Sequence, residues 1–397
     1  MPEDWIREIQ NRIKKIPITS GGSKKRSGAS FENLVFLPAQ LKKRPVDYYL
    51  EKISSKTIVG KQCKKPIELE TPIVFGAMSF GALSREAKIS LAKAATMAGT
   101  LANTGEGGML PQEREFSKYL IVQYSTARFG IDEAVLKKAD AVEIKIGQGA
   151  KGGTGGFLPK EKVTREISQV RKVPLGKDIH SPAYHQDIKN SDDLKNKVDY
   201  LRKVTGGVPI ILKMAAGELT EDLKIAVKAN PDIIAIDGAE GGTGAAPEVM
   251  MEEMGLPTLA ALAQAREVLN GMGAKQELWV GGGLRKGGDF AKALALGADA
   301  VFCGSPLLIA MGCIYCRQCY LGKCPLGIAT HDEQLRKKLN IEEAAQKIAG
   351  YVKNSTEEIK MIVGACGEND IHKLNKGHLR TLNSDTAKIT KVKMAGE

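Results

Sequence analysis

The stretch Ile233-Ile-Ala-Ile-Asp237-Gly238-Ala-Glu240-Gly241-Gly242-Thr243-Gly244 carries the pattern that decides the fold. A short apolar run stops at a polar residue and breaks into glycines. Such a run is too short for a buried helix, and its turn-forming boundary reads as a strand covered on both faces. Two further units repeat it: residues 278–281 open into Gly282-Gly283, and residues 300–303 open into Gly304-Ser305. Toward the N-terminus, runs at 72–78, 100–104, 120–125, 141–146 and 208–214 complete a set of eight. Helix-like stretches such as 84–98 and 290–296 lie between them, and Ser84 ahead of Glu86 and Lys88 makes an N-cap start. Strand and helix alternating eight times predict an α/β protein whose parallel strands close into a (β/α)8 TIM barrel. A doubly wound open sheet is the rival; the count of eight and the glycine-rich endings favour the barrel.

Around this barrel the chain divides into three parts. Residues 1–69 read as an N-terminal arm and lead-in, with a short amphipathic helix at 3–15, a flexible Ser/Gly/Lys loop at 20–27 and a more ordered segment at 31–38. Residues 70–330 form the barrel, and 331–397 a C-terminal helical extension with amphipathic helices at 341–351 and 356–363. Two long loops, 147–201 and 238–278, follow strands four and six, on the face where such barrels do chemistry.

Composition narrows the function classes. Aromatic residues make up 5% of the 397 residues while 43 are glycine, which suits tight loops around a ligand better than an aromatic-rich sandwich. The net charge of +12 comes from lysines spread along the chain, without a basic stripe or a nucleic-acid-binding motif. A solvated basic surface is the plain reading and docking of an acidic electron carrier the functional one; no nucleic-acid partner is expected. No run reaches 18 apolar residues, and the opening MPEDWIREIQNRIKK has charges where a signal peptide needs an apolar core. The expectation is a cytoplasmic protein with no membrane partner, in which seven cysteines do not form a disulfide framework.

Four of those cysteines fall in Cys313-Ile-Tyr-Cys316-Arg-Gln-Cys319-Tyr-Leu-Gly-Lys-Cys324-Pro325. Thiolates at this spacing can converge on an iron–sulfur core; a zinc site and a set of reduced structural thiols are the other readings. Cys63, Cys303 and Cys366 stand alone and read as ordinary buried cysteines. The glycine turns after strands six, seven and eight (Gly241, Gly242 and Thr243; Gly282 and Gly283; Gly304 and Ser305) suit a phosphate held by backbone N–H groups, or serve as tight turns only. Lys145 and Lys213 interrupt apolar strands, and a charge there should face an anion or a polarised ring unless it snorkels to the rim. Glu106, in Asn103-Thr-Gly-Glu-Gly-Gly108, is a candidate general acid/base or substrate orienter. Arg128, Gln148, Lys151 and Arg171 would suit a dicarboxylate, or be surface groups. His180 and His185 read as structural hydrogen-bonding groups.

Taken together, the strings at 76–84, 103–108, 145–151 and 241–247 and the cysteine run through Thr330 resemble the FMN-binding domain of glutamate synthase, over roughly residues 30–385. The resemblance implies FMN, a [3Fe–4S] cluster, and 2-oxoglutarate with ammonia as substrates, the 2-iminoglutarate formed from them being reduced by FMN to L-glutamate. It implies that Met78, Ser79, Gln123, Lys213, Gly242, Gly283, Gly304 and Ser305 hold the flavin, with Lys145, Gly241, Thr243 and Gly282 beside them. Glu106, Gln148, Lys151 and Arg171 match the catalytic and substrate-binding positions, and Cys313, Cys319 and Cys324 the cluster ligands. Three features depart from the family pattern. Cys316 adds a thiol that would permit [4Fe–4S], residues 152–157 lack the usual Lys-Pro-Gly continuation, and Gln186 stands where histidine is frequent. No N-terminal cysteine nucleophile, ferredoxin module or pyridine-nucleotide fingerprint is present, so ammonia and electrons are expected free or from separate glutaminase and electron-donor subunits such as ferredoxin. The alternative is a related amine-transfer or electron-transfer flavoprotein subunit acting on another substrate.

Overall fold

A computed structural model describes residues 19–23 and 28–397. Eight parallel strands run in sequence order around a nearly closed barrel. We label them β1 (Ile73–Phe75), β2 (Leu101–Asn103), β3 (Tyr119–Tyr124), β4 (Ala141–Lys145), β5 (Ile210–Ala215), β6 (Ile233–Asp237), β7 (Glu277–Gly281) and β8 (Ala300–Cys303). The ladder pairs β1 with β8, and then each strand with its predecessor down to β2. Every expected strand is present, and the barrel, not the open sheet, is the fold.

The pleat explains the two apolar layers. Alternate residues such as Ile121, Ile211, Ala235, Trp279 and Phe302 fill the barrel interior. The residues between them, such as Val122, Ile210, Ile234 and Val280, meet the helices outside. A hairpin of Thr57–Val59 and Ile67–Leu69 plugs the N-terminal end by placing Val59, Ile67 and Leu69 in the interior cluster.

The helix Arg85–Ala98 begins as expected, with Ser84 Oγ accepting from the Ala87 amide. The tail differs from expectation, because one helix, Ile341–Ala365, replaces the two short ones and packs on Arg85–Ala98. In the arm, the helix expected at 3–15 lies outside the described residues. Ser20–Gly22, expected in a flexible loop, instead belongs to a strand, Thr19–Gly22, paired antiparallel with Thr243–Pro247. The segments after β4 and β6 are not loops throughout: they contain the helices Arg165–Arg171, Ser191–Thr205, Glu248–Glu253 and Thr258–Gly271. Cys303 and Cys366 are buried as expected, whereas Cys63 is only half-buried, in a polar cavity of about 280 Å³ at the N-terminal end of the barrel. Among the described residues no helix is long and apolar enough to cross a membrane.

Glu277 opens β7 at that end. Its carboxylate accepts from the Lys61 amide (2.9 Å) and from Trp279 Nε1 (3.4 Å). Burial pushes its pKa up from 4.5 to about 7, against the Lys61 amide and with help from Asp299. A carboxyl raised in the folded state stabilises while protonated, and that contribution is lost as pH climbs from its unfolded value through its folded one. The wild-type protein should therefore lose about 3 kcal/mol from this site between roughly pH 4.5 and 7. Glu277→Gln should flatten the dependence of Tm on pH in that window; an unchanged slope would remove Glu277 as its source.

Candidate functional site

The C-terminal ends of the strands gather the charged residues in two tiers. Glu143 and Lys145, two apart on β4, face the same side. Glu143 is fully buried and accepts from Asn103 Nδ2 (3.0 Å) and Gln123 Nε2. Above it, Lys145 Nζ donates to Glu106 Oε2 (2.9 Å) and Gln148 Oε1 (2.8 Å). Lys151 and Arg171 are buried beside them, and Arg171 donates through Nε and Nη2 to the Phe80 carbonyl (3.1 and 2.6 Å).

These neighbours decide how Glu106 can act. Burial alone would raise its pKa, but Lys145, Lys151 and Arg171 outweigh burial and hold it at about 2. Burial lowers Lys151, and it lowers Arg171 to about 10, each partly offset by Glu106. Glu106 is therefore an anion in a cationic cage, suited to orient a positively charged or N–H-bearing partner and unsuited to donate a proton at neutral pH.

The second tier lies on the neighbouring strands, where Lys213 on β5 pairs in register with Lys145 on β4. Burial lowers the pKa of Lys213, yet Asp237 and Glu143 overcome that and raise it. Its Nζ is 3.7 Å from Asp237 Oδ2 and 5.0 Å from the centre of the Phe302 ring. Asp237 also accepts from the Gly149 amide (3.0 Å), which ties the loop after β4 to the end of β6. A Cβ on Gly242 would stand 2.4 Å from Ser305 Oγ, so the turns after β6 and β8 meet at that hydroxyl. Gly304 has open space where a side chain would be. Gly282 and Gly283 line a cavity of about 190 Å³ whose charged walls are mixed, with Arg285 and Lys286 facing Glu32, Glu240 and Asp289.

The cysteine loop reaches this rim. A Cβ on Gly244 would lie 4.0 Å from Cys319 Cβ and 3.7 Å from Ala82. Downstream, the Ser84 amide donates to Ile328 O (2.8 Å), and His331 Nε2 meets Gly81 O at 3.1 Å. Cys313, Cys319 and Cys324 are half-buried against the core, whereas Cys316 is exposed. Burial raises the Cys319 thiol to about 11, and the charges of Cys313, Cys324 and Cys316 add to it, so the four thiols lie within electrostatic reach of one another. Among the described residues no three His, Cys, Asp or Glu side chains are grouped to hold a single metal ion. Four sulfur donors in one loop are of the type that soft-metal centres use.

Some expected residues lie apart. Arg128 stacks over Tyr124 (4.8 Å) and pairs with Asp187, away from the Glu106 cage. His185 bonds the Lys145 carbonyl (2.9 Å), and His180 packs on Phe157 (4.7 Å), as structural groups. Sequence reading passed over Glu143 and Asp237, although each interrupts an apolar strand as plainly as Lys145 and Lys213 do. It also passed over Lys88, Glu113 and His331. Burial lowers the pKa of His331 to about 4, and its Nε2–H donates to Gly81 O.

Comparison with known proteins gives concordant results. A model described as a conserved region in glutamate synthase matches residues 8–369. A glutamate synthase large subunit-like protein of Rhizobium meliloti is 39% identical, covering 95% of this chain and 90% of the relative. Archaeal-type glutamate synthase [NADPH] of Thermotoga neapolitana is 40% identical (96% and 80% covered), and archaeal glutamate synthase [NADPH] of Archaeoglobus fulgidus 38% (99% and 84%). Among solved structures, a mandelate oxidase with a monooxide FMN adduct superposes with a TM-score of 0.54 at 17% identity, covering 87% of this chain and 88% of the oxidase. A lactate oxidase of Pediococcus acidilactici gives 0.56 at 16% identity, with 88% and 83% covered. At these identities the two oxidases bear on the fold alone.

Proposed function

The chain belongs to the glutamate synthase family of oxidoreductases, and from that premise we propose that its barrel mouth makes L-glutamate from 2-oxoglutarate and ammonia by reducing 2-iminoglutarate. The observation that carries this reading is the cage in which Glu106 is held by Lys145 and shares its buried surroundings with Lys151 and Arg171. A dicarboxylate needs two cationic anchors. Lys151 and Arg171 supply them, Arg171 by releasing one of its two bonds to Phe80 O. An imine nitrogen needs an acceptor that stays ionised, and Glu106 is one. Gln148 holds Lys145 against Glu106 and presents its own amide to the same space. The burial of Lys151 and Arg171 keeps bulk water from the anchors and strengthens them.

FMN is the group we assign to the mouth, held by Met78, Ser79, Gln123, Lys213, Gly241, Gly242, Thr243, Gly282, Gly283, Gly304 and Ser305; when bound it supplies hydride chemistry. Lys213, kept charged by Asp237 and Glu143, would stabilise negative charge on a reduced ring. We assign a [3Fe–4S] cluster to Cys313, Cys319 and Cys324, with Cys316 available to a [4Fe–4S] form, as a one-electron relay. Electrons and ammonia would come from separate electron-donor and glutaminase subunits, or ammonia free from solution.

The test is turnover of anaerobic, FMN-loaded protein with reduced methyl viologen as electron source. Glutamate should form only when 2-oxoglutarate and ammonium are both present. A 2-oxo monocarboxylate loses one charge-assisted anchor, so its kcat/KM should be lower by roughly tenfold to hundredfold. Equal rates on both acids would overturn the two-anchor reading, and no glutamate under any condition would overturn the function.

A further inference from the structure

The barrel has one seam. Among the described residues no ladder bonds join β1 to β2, although the two strands close the circle. At the N-terminal end Thr100 Oγ1 donates to Ile73 O (2.7 Å) and bridges the gap. At the C-terminal end the bridge is Lys88, from the helix Arg85–Ala98. Its Nζ contacts the carbonyls of Met78 (2.5 Å), Asn103 (2.9 Å) and Thr104 (3.1 Å), and Glu113 Oε1 at 2.7 Å. Lys88 and Glu113 are each about 1% exposed. Three ammonium protons thus serve four acceptors drawn from two turns and a helix.

The two turns are those that carry the proposed chemistry. A Cβ on Gly105 would stand 2.6 Å from the Ser79 amide nitrogen, and one on Gly107 2.3 Å from Phe80 O, so backbone lies directly on backbone either side of Glu106. Phe80 O in turn anchors Arg171. A buried ion pair that served stability alone could be exchanged for apolar side chains at little cost. One that draws three carbonyls from two functional turns onto a single nitrogen does more.

We propose that the Lys88–Glu113 pair is a positioning device that locks the 78–80 turn against the 103–107 turn and thereby sets Glu106 and the flavin-binding turn in register. This inference rests on the function proposed above, and its test can be read without it. Three proteins are compared with wild type. Lys88→Met leaves Glu113 buried without a partner. Lys88→Met/Glu113→Leu removes both charges and recovers the part of the loss due to the unpaired carboxyl, while the Met78, Asn103 and Thr104 carbonyls stay without their donor. Leu223→Ala, buried in the helix Leu219–Ala229 that follows β5, lowers Tm on the far side of the barrel from the seam.

Amide hydrogen exchange and FMN binding to apoprotein are then measured. In the double variant, exchange in the 78–80 and 103–107 turns should accelerate, and FMN affinity should fall, each by roughly tenfold to hundredfold. Leu223→Ala should change neither locally. Unaltered exchange in the two turns of the double variant overturns the proposal, and so does wild-type FMN affinity once those turns have loosened. The same readings stand if Lys88→Met does not fold, because the double variant carries them. If wild-type protein takes no FMN, the function proposed above fails, while exchange alone still judges the seam.

Discussion

Replacing Glu106 by glutamine should lower kcat for glutamate formation by roughly two to three orders of magnitude without raising KM for 2-oxoglutarate. The split follows from the cage. Removing its only carboxylate leaves Lys145, Lys151 and Arg171 facing one another, a field that welcomes a dianion at least as well as before. The imine nitrogen, in contrast, loses its anionic acceptor in the transition state. Stability should fall as well. A carboxyl depressed from 4.5 to about 2 contributes stability above its unfolded pKa and loses it as pH falls through its folded one. At neutral pH that contribution is about 3 kcal/mol, and the difference in Tm between variant and wild type should narrow between roughly pH 4.5 and 2. Steady-state kinetics with scanning calorimetry separate the two effects. A variant with unchanged kcat and raised KM would make Glu106 a binding residue only.

Lys213→Met should be the most destabilising of the conservative replacements at the mouth. Methionine nearly matches the side-chain volume, so the effect isolates charge. Asp237 and Glu143 would be left buried without the cation they share, at a cost of about 3–5 kcal/mol. Lys213 has its pKa raised in the folded state, so the stability it contributes is present below its ordinary value of 10.5 and is lost as pH rises through the folded one. The gap between variant and wild type should therefore be full at neutral pH and narrow at strongly alkaline pH. Lys213→Met/Asp237→Asn should restore part of the loss while FMN affinity stays weak. Denaturant titrations at neutral pH and above the ordinary lysine range measure the effect, and a gap that does not narrow would assign it to packing.

How far the sequence foretells this molecule depends on whether the deciding contact is local. The bounds of β6 and β8 coincide with the apolar runs at 233–237 and 300–303. The run at 72–78 overshoots β1, which ends at Phe75, because Gly76 turns its amide to Cys303 O and the chain leaves the ladder for the rim. In the tail, Asn354-Ser355-Thr356 looks like a helix boundary. Ser355 and Thr356 are instead buried, and Thr356 Oγ1 bonds back to Val352 O (2.8 Å) and meets Thr71 Oγ1 (2.7 Å), so one helix runs through. Ser20–Gly22 reads as flexible because its partner, Thr243–Pro247, is remote in sequence. At the site, Lys145 and Lys213 are conspicuous as charges inside apolar strands. Lys88 is invisible, since lysine in the first turns of a helix is ordinary, and only the fold turns it toward the seam.

On the proposed function, this mouth couples oxidation of reduced flavin to amination of a 2-oxo dicarboxylate, and a single turnover makes that coupling visible. Anaerobic protein with fully reduced FMN is mixed with 2-oxoglutarate and ¹⁵N-ammonium, and flavin absorbance is followed while labelled glutamate is counted. Reoxidation that requires both substrates, with about one ¹⁵N-glutamate per two-electron-reduced flavin, is the predicted result. Flavin that stays reduced in the presence of both, or reoxidises without labelled glutamate, would contradict it.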